Sequence, residues 1–232
     1  MKKVYTLSFF AVFFIFMSAF GFCEENISVL KTEGSVFYLK KGSFMKKAAN
    51  QGMNLFKGDV IITGEKSNAV ISLFDGSSVI VDENSKFKIN TESSFEQEQG
   101  KAYYSIEKQE QKGIEVKTPF AVIGVKGTEF IVNSTSENQS VALKKGLLNI
   151  ESLKDQFELR RKKELSAFEA FMEKTKSAFT DYKEKQKKEF VEFVDKFELK
   201  PDKMVSFSNN IVNEDELSKE LDKEFEKFRS LL

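Results

Sequence analysis

"KTPFAVIGVKGTEFIV", residues Lys117 to Val132, decides how the rest of the chain is read. A proline opens it, an almost unbroken apolar run follows, Gly124 and Gly127 interrupt that run, and Thr128-Glu129-Phe130 closes it. Two roles compete for such a stretch: a loop that cradles a ligand, or backbone shaped to fit a fold. Pro119 fixes φ and biases Thr118 toward extended geometry, which starts a strand. Gly124 and Gly127 suit a bend or a close backbone approach in a buried run, and Thr128 offers a hydroxyl to hold that bend. The phosphate-loop pattern needs a glycine, four residues, then Gly-Lys-Ser/Thr. Here Gly127 is followed directly by Thr128, and at "KGDVIITGEKSN" Glu65 separates Gly64 from Lys66. The stretch therefore reads as scaffold.

Working outward, the chain from 27 to 150 consists of short apolar runs separated by glycine, asparagine, aspartate and serine. Several runs follow a similar turn: "GSVFYLKKG" at Gly34, "KGDVIITGE" at Lys57, "DGSSVIVDEN" at Asp75, "KGTEFIVNS" at Lys126 and "KGLLNIES" at Lys145. Glycine accepts positive φ without steric penalty, and Val, Ile and Phe suit a pleated, half-buried surface. The clearest hairpin places Asp75-Gly76 between Ala69–Phe74 and Val79–Val81, since Asp-Gly is a preferred hairpin centre. The glycine-led runs are unevenly spaced, so the pattern predicts an all-β domain of short strands rather than a regular solenoid.

Between Gly146 and Pro201 there is neither glycine nor proline, and Glu, Lys and Phe dominate. Residues 152–198 are expected to form a long, charged, amphipathic helix, with Ser152 and Asp155 as its start signal. Its stripe runs through Leu165, Phe168, Met172, Thr175, Phe179, Tyr182, Gln186, Phe190, Phe193 and Phe197. That is nearly a heptad seam with one four-residue stutter. A straight helix of this length reaches roughly 70 Å, so the stripe must meet another helix, a second copy, or itself after a bend at Thr180-Asp181. Packing of these phenylalanines on the β domain is the competing reading. Residues 199–212 are expected to close the β domain as strands, and 213–232 to form a C-terminal helix. Asn213 and Glu216 would cap that helix, and Leu217, Leu221, Phe225, Phe228 and Leu232 share its apolar face. Glu214-Asp215-Glu216 complements the helix dipole better than it suggests a cation site.

Composition narrows function. Lys+Arg and Asp+Glu both number 36, so no global field draws a polyanion and nucleic-acid binding has no electrostatic support. Histidine is absent and the one cysteine is Cys23, beside the N-terminal apolar segment. Zinc and transition-metal sites, and acyl-transfer triads with a histidine base, are nearly excluded. No cofactor is expected. Carboxylate catalysis survives, so an envelope glycan hydrolase using Asp or Glu is the alternative function. Against it, tryptophan is absent and tyrosines number only 5, a thin supply of sugar-stacking platforms.

The N-terminus, "MKKVYTLSFFAVFFIFMSAFGFCEEN", has Lys2 and Lys3, an apolar run from Val4 to Phe20, then small residues and Glu24-Glu25. This order is that of a secretory signal over residues 1–23, cleaved before Phe22 or before Glu24. The alternative is an uncleaved anchor, since a helix from Val4 to Phe22 spans roughly 28 Å. Lipidation of Cys23 is disfavoured by Phe22, where a small side chain is wanted. With about four residues ahead of the apolar segment, no domain is expected on the cytoplasmic side.

The segments "EGSVFYL", "GMNLFKGDVIITGEKSNAVISLFDGSSVIVDENSKFKI", "GIEVKTPFAVIGVKGTEFIVNS" and "SVALKKGLLNI" together resemble the FecR domain. The order is that family's: a Gly-Asp-x-Ile-x-Thr step at Gly58, Asp59 and Thr63, an Asp-Gly-Ser turn at Asp75 and Gly76, then a Thr-Pro-x-Ala-x-x-Gly-Val-x-Gly-Thr signature carrying Thr118, Pro119, Gly124, Gly127 and Thr128. The resemblance covers about 33–150, and "FELKPDKMVSFSNN" resembles the family's closing strand pair, which would make the long helix an insertion. It implies a non-catalytic, periplasmic or otherwise extracytoplasmic β domain that receives a signal from a partner protein in the bacterial envelope. Sensor-regulator members carry a cytoplasmic sigma-factor-binding segment before their membrane span, and none is expected here, so free-standing exported members are the closer comparison. The expected partners are an envelope protein, a second copy through the helical arm, and a membrane at the N-terminus. The fold expected overall is mainly β: a FecR-like domain plus a long Phe-rich helical arm and a C-terminal amphipathic helix.

Overall fold

A computed structural model describes residues 27–74, 76–108, 113–162 and 189–232. The first strands are β1 (Ser28–Glu33), β2 (Val36–Leu39), β3 (Lys46–Ala48), β4 (Val60–Thr63), β5 (Asn68–Ser72) and β6 (Ser78–Val81). Then come β7 (Lys86–Thr91), β8 (Ser94–Ser105), β9 (Ile114–Lys117), β10 (Val122–Val125), β11 (Glu129–Ser134) and β12 (Gln139–Lys145). The last are β13 (Leu148–Glu151), β14 (Phe157–Lys162), β15 (Glu189–Val194), β16 (Lys196–Leu199), β17 (Lys203–Ser208) and β18 (Ile211–Glu216), followed by the helix α1 (Lys219–Arg229).

Pairing sorts these strands into two sheets. Sheet I runs β1-β5-β6-β8-β11-β12-β17-β18-β14-β15. Sheet II runs β3-β2-β4-β7-β8-β9-β10-β13-β16. Neighbours are antiparallel except β8–β9 and β14–β18. The long strand β8 belongs to both sheets, and Gly100 is where it passes from one to the other. Its φ of +89° is open to glycine, and a Cβ there would fall 2.5 Å from the Ser85 Cα. Beside this kink, the buried Gln97 donates to the carbonyls of Gly100 (2.8 Å) and Val132 (3.0 Å) and accepts from the Tyr104 hydroxyl (2.8 Å). The Gly100 and Val132 carbonyls beside the kink are thus satisfied.

The main core lies between the sheets. Alternate residues of each strand point into it: Ala69 and Ile71 on β5, Ala102 and Tyr104 on β8, Phe130 and Val132 on β11, facing Phe87, Phe95, Val116 and Ile123 of sheet II. Tyr104 stacks on Phe130 at 4.6 Å, and Phe87 on Phe95 at 5.6 Å.

The outer face of sheet I is apolar as well. Val70, Ile80, Tyr103, Ile131, Ala142 and Met204 form one row of directly opposed residues across six strands. Helix α1 covers that row with Phe225 and Phe228, both fully buried, and with Leu221. Each buried phenylalanine contributes on the order of 1.5–3 kcal/mol. Ser218 caps the helix, accepting from the Leu221 amide at 3.2 Å, with Glu220 and Asp222 in the first turn and Lys227 and Arg229 in the last.

Two expectations need correction. The long Phe-rich helix over 152–198 does not form: β14, β15 and β16 occupy 157–162, 189–194 and 196–199, and α1 is the one helix among the described residues. Of the expected stripe, Leu165, Phe168, Met172, Phe179 and Tyr182 lie outside the described residues. Phe190 and Phe193 are on β15, and Phe197 is on β16, buried edge-on against Phe157 at 5.8 Å. Pairing with distant strands overrides helix propensity here: β14 lies parallel to β18, β15 closes onto β14, and β16 pairs with β13. The C-terminal helix begins at Lys219, because Asn213–Glu216 belong to β18, opposite Ser206–Lys203 of β17.

Candidate interaction surface

The signature residues are built into turns. Gly58 has φ +92°, and its missing Cβ leaves room for the Lys41 side chain, which would come within 2.6 Å. The next residue, the buried Asp59, accepts from the amides of Lys41 and Phe56, each at 3.1 Å, and so staples two turns together. The Thr63 hydroxyl donates to the Asp82 carbonyl and accepts from the Ser85 amide at 2.9 Å. Asp75 lies outside the described residues; its neighbour Gly76 has φ +82° and donates to the Leu73 carbonyl at 3.4 Å.

The opening stretch resolves into three strands and two turns. Thr118 donates its amide to the Ala121 carbonyl (2.9 Å), and its hydroxyl accepts from the Ala121 amide (2.9 Å). Pro119 therefore sits second in a tight turn joining β9 to β10, a position its fixed φ favours, rather than opening a strand. Gly124 lies inside β10, opposite Glu115 and Asn149. A Cβ there would meet Asn149 at 3.6 Å, an ordinary contact, so no bend requires this glycine. Gly127 differs: φ is +66° and a Cβ would stand 2.8 Å from that of Lys108, where the chain crosses from sheet II to sheet I. Thr128 is buried, but its hydroxyl has no hydrogen-bond partner among the described residues. Its methyl packs over Gly146, whose added Cβ would come within 2.6 Å.

The turns thus serve the fold, and the surfaces remain to be compared. Gly113, Glu115, Val122, Gly124, Asn149 and Glu151 line a shallow dish of about 370 Å³ on the outer face of sheet II. Glu115 is engaged there by Ser94 at 3.3 Å and by Lys117 at 3.7 Å. No three His, Cys, Asp or Glu residues converge to hold a metal among the described residues.

On the covered face of sheet I, a network the sequence did not announce ties the helix down. Arg229 donates to both oxygens of Glu129, at 2.6 and 2.8 Å, and the Tyr103 hydroxyl donates to the same carboxylate at 2.9 Å. Burial, then the Glu129 charge, holds the Tyr103 phenol above its ordinary value, and burial alone raises Tyr104. The hydrogen bond to Glu129 raises Arg229. Lys144 reaches Asp202 at 2.8 Å and Asp222 of the helix at 2.9 Å, and Lys101 pairs with Glu224. The available signal was weak: aromatic Tyr103-Tyr104 in a run too apolar to have one wet face.

At the far edge of sheet I the apolar surface is uncovered. Phe157 and Leu159 of β14 point into the core, so Glu158 and Arg160 point outward, and with them their β15 partners Phe193 and Val191. Phe193 is 67% exposed and Val191 43%. Among the described residues β15 pairs with β14 alone, so its other edge carries no strand.

Comparison with known proteins bears on what this architecture is. Residues 59–149, from the start of β4 into β13, match the family model described as FecR protein. Strands β1–β3 and β14–β18, which extend both sheets, and helix α1, which covers sheet I, lie outside the match. No curated protein matches the sequence. Among solved structures, two crystal structures, at 1.65 and 2.50 Å, of a protein described as a "putative anti-sigma factor" from Parabacteroides distasonis ATCC 8503 are similar. Each is 14% identical with a TM-score of 0.47, and the alignment covers 68% of this chain and 60% of that one. The chain therefore spans under two thirds of that protein's length.

Proposed function

We infer that the protein is a non-catalytic signalling module of the bacterial cell envelope, working outside the cytoplasm, which receives a signal from a partner protein or assembles with one. The FecR match supports the signalling role, and the leader-like N-terminus supports export. The lack of histidine, with the one cysteine at Cys23, supports work done by contact rather than by chemistry.

The observation that carries the contact surface is β15. A strand whose outer edge is unpaired among the described residues, with two outward apolar side chains, Val191 and Phe193, is a template for an incoming strand. A photocrosslinking amino acid at position 193 of the full chain, expressed in its envelope, tests this. Adducts with another polypeptide, or with a second copy, are expected from position 193 and not from position 88 on sheet II. Equal labelling from both positions, or adducts from position 88 alone, would move the contact away from β15.

A further inference from the structure

Between Gly34 and Gly58 the neutral chain carries Lys40, Lys41, Lys46, Lys47 and Lys57, with no aspartate or glutamate. None of the five has an ion-pair partner among the described residues. The fold gathers them at one corner of sheet II. Strands β2 and β3 pair from Phe37–Ala48 to Leu39–Lys46, so the turn between them carries Lys40 to Met45. Leu39 also opposes Val60, which brings the turn before β4, with Phe56 and Lys57, to the same end. Asp59 locks the two turns together by accepting from Lys41 and Phe56.

At this corner the large apolar side chains point into solvent. Phe44 is fully exposed, Met45 is 71% exposed and Phe56 is 60% exposed. By contrast, Phe87, Phe95, Phe130 and Phe157 fill the core. Exposed aromatic and thioether side chains ringed by lysines match an anionic bilayer surface, where rings enter the headgroup boundary and ammonium groups meet lipid phosphates. Counting the buried Asp59 and Glu92 of the neighbouring β7–β8 turn, cations outnumber acids five to two.

A second observation points the same way. Ile27, where the described chain begins, accepts from the Leu55 amide at 2.8 Å, next to Phe56, and Ser28 bridges to Asn54. The described chain therefore starts beside this corner, and where the apolar run Val4–Phe20 is retained as the uncleaved anchor, six residues separate it from Ile27 in sequence.

We propose that the tip formed by Phe44, Met45 and Phe56 with Lys40, Lys41, Lys46, Lys47 and Lys57 docks the domain on an anionic lipid surface. Sheet I plays no part in this contact, so its failure would leave the β15 reading standing, and the reverse holds too.

The chain has no tryptophan, so Phe44→Trp installs a single reporter at an exposed site that holds no part of the core. The full chain carrying it is reconstituted with vesicles of phosphatidylcholine alone or of phosphatidylcholine with phosphatidylglycerol. Expected is a blue-shifted emission, quenched by brominated acyl chains, in the anionic vesicles only. The shift should disappear when Lys40, Lys41, Lys46 and Lys47 are all changed to Glu, with thermal unfolding unchanged. Phe193→Trp should keep a water-like emission throughout. Emission that stays water-like in both vesicles, or shifts equally in both, would overturn the proposal, as would a shift produced by a soluble polyanion without lipid.

Discussion

The two sheets present outer faces of opposite character. On sheet I the outward row from Val70 to Met204 is apolar and lies beneath Phe225 and Phe228 of the helix. On sheet II the outward positions of β7 and β8 are lysine and glutamate, paired as Lys88–Glu96 at 2.9 Å and Lys86–Glu98. Both faces use the same two-residue alternation, so what differs is only which residue occupies the outward slot. The lesson is that α1 is the third layer of the fold rather than an appendage. Among the described residues the helix leaves bare the two terminal strands of sheet I, β1 and β15, and β15 is the one that carries the exposed Phe193 and Val191.

The largest test of that contrast is to empty the helix's grip. Phe228→Ala should cost about 3–5 kcal/mol in denaturant unfolding, because its ring stacks on Tyr103 at 5.4 Å in a fully buried site. A loss below about 1 kcal/mol would mean that the helix is loosely held. Next in size, Glu129→Gln should cost about 1–3 kcal/mol, since it removes the partly buried carboxylate that accepts from both Arg229 and Tyr103 and leaves the guanidinium only the exposed Glu226.

A pH titration separates the faces by sign. The folded value of Tyr103 lies above its unfolded value of about 10, so its contribution is complete below that pH and is lost as pH rises through the alkaline range. Tyr103→Phe should blunt the alkaline fall in melting temperature. Glu96, lowered first by its hydrogen bond to Lys88, behaves oppositely: its contribution is present above about pH 4 and lost as pH falls. The smallest effect belongs to sheet II, where Lys88→Gln should change stability by no more than about 1 kcal/mol, because both partners of that pair are solvated.

Much of the β architecture was legible, because turn residues and short apolar runs are local signals. The Gly58-Asp59 step and the Thr118–Ala121 turn both sit where such residues are chemically needed. What the runs also contained, unread, was the third layer: "AVI", "VIV" and "FIV" are apolar at consecutive positions, and a strand apolar on both faces must be covered on both. The error at 152–198 has another origin. Phe157 and Leu159, like Phe197 and Leu199, alternate with the period of a strand, yet each pair is too short to outweigh a long stretch without glycine or proline. Their strands exist because of β13 and β18, far off in sequence, and no local pattern encodes that. The Tyr103–Glu129–Arg229 network was hidden for the same reason, its members lying 26 and 100 residues apart.

The most direct test is the nuclear Overhauser spectrum of the aromatic protons. The Tyr103 ring lies 5.4 Å from that of Phe228, stacked, and 6.1 Å from that of Phe225, edge-on. Cross-peaks from Tyr103 to both rings are expected if the helix closes the outer face of sheet I. Their absence from a spectrum that shows the Tyr104–Phe130 contact of the inner core would mean that this face stands open, and the layered account would be wrong.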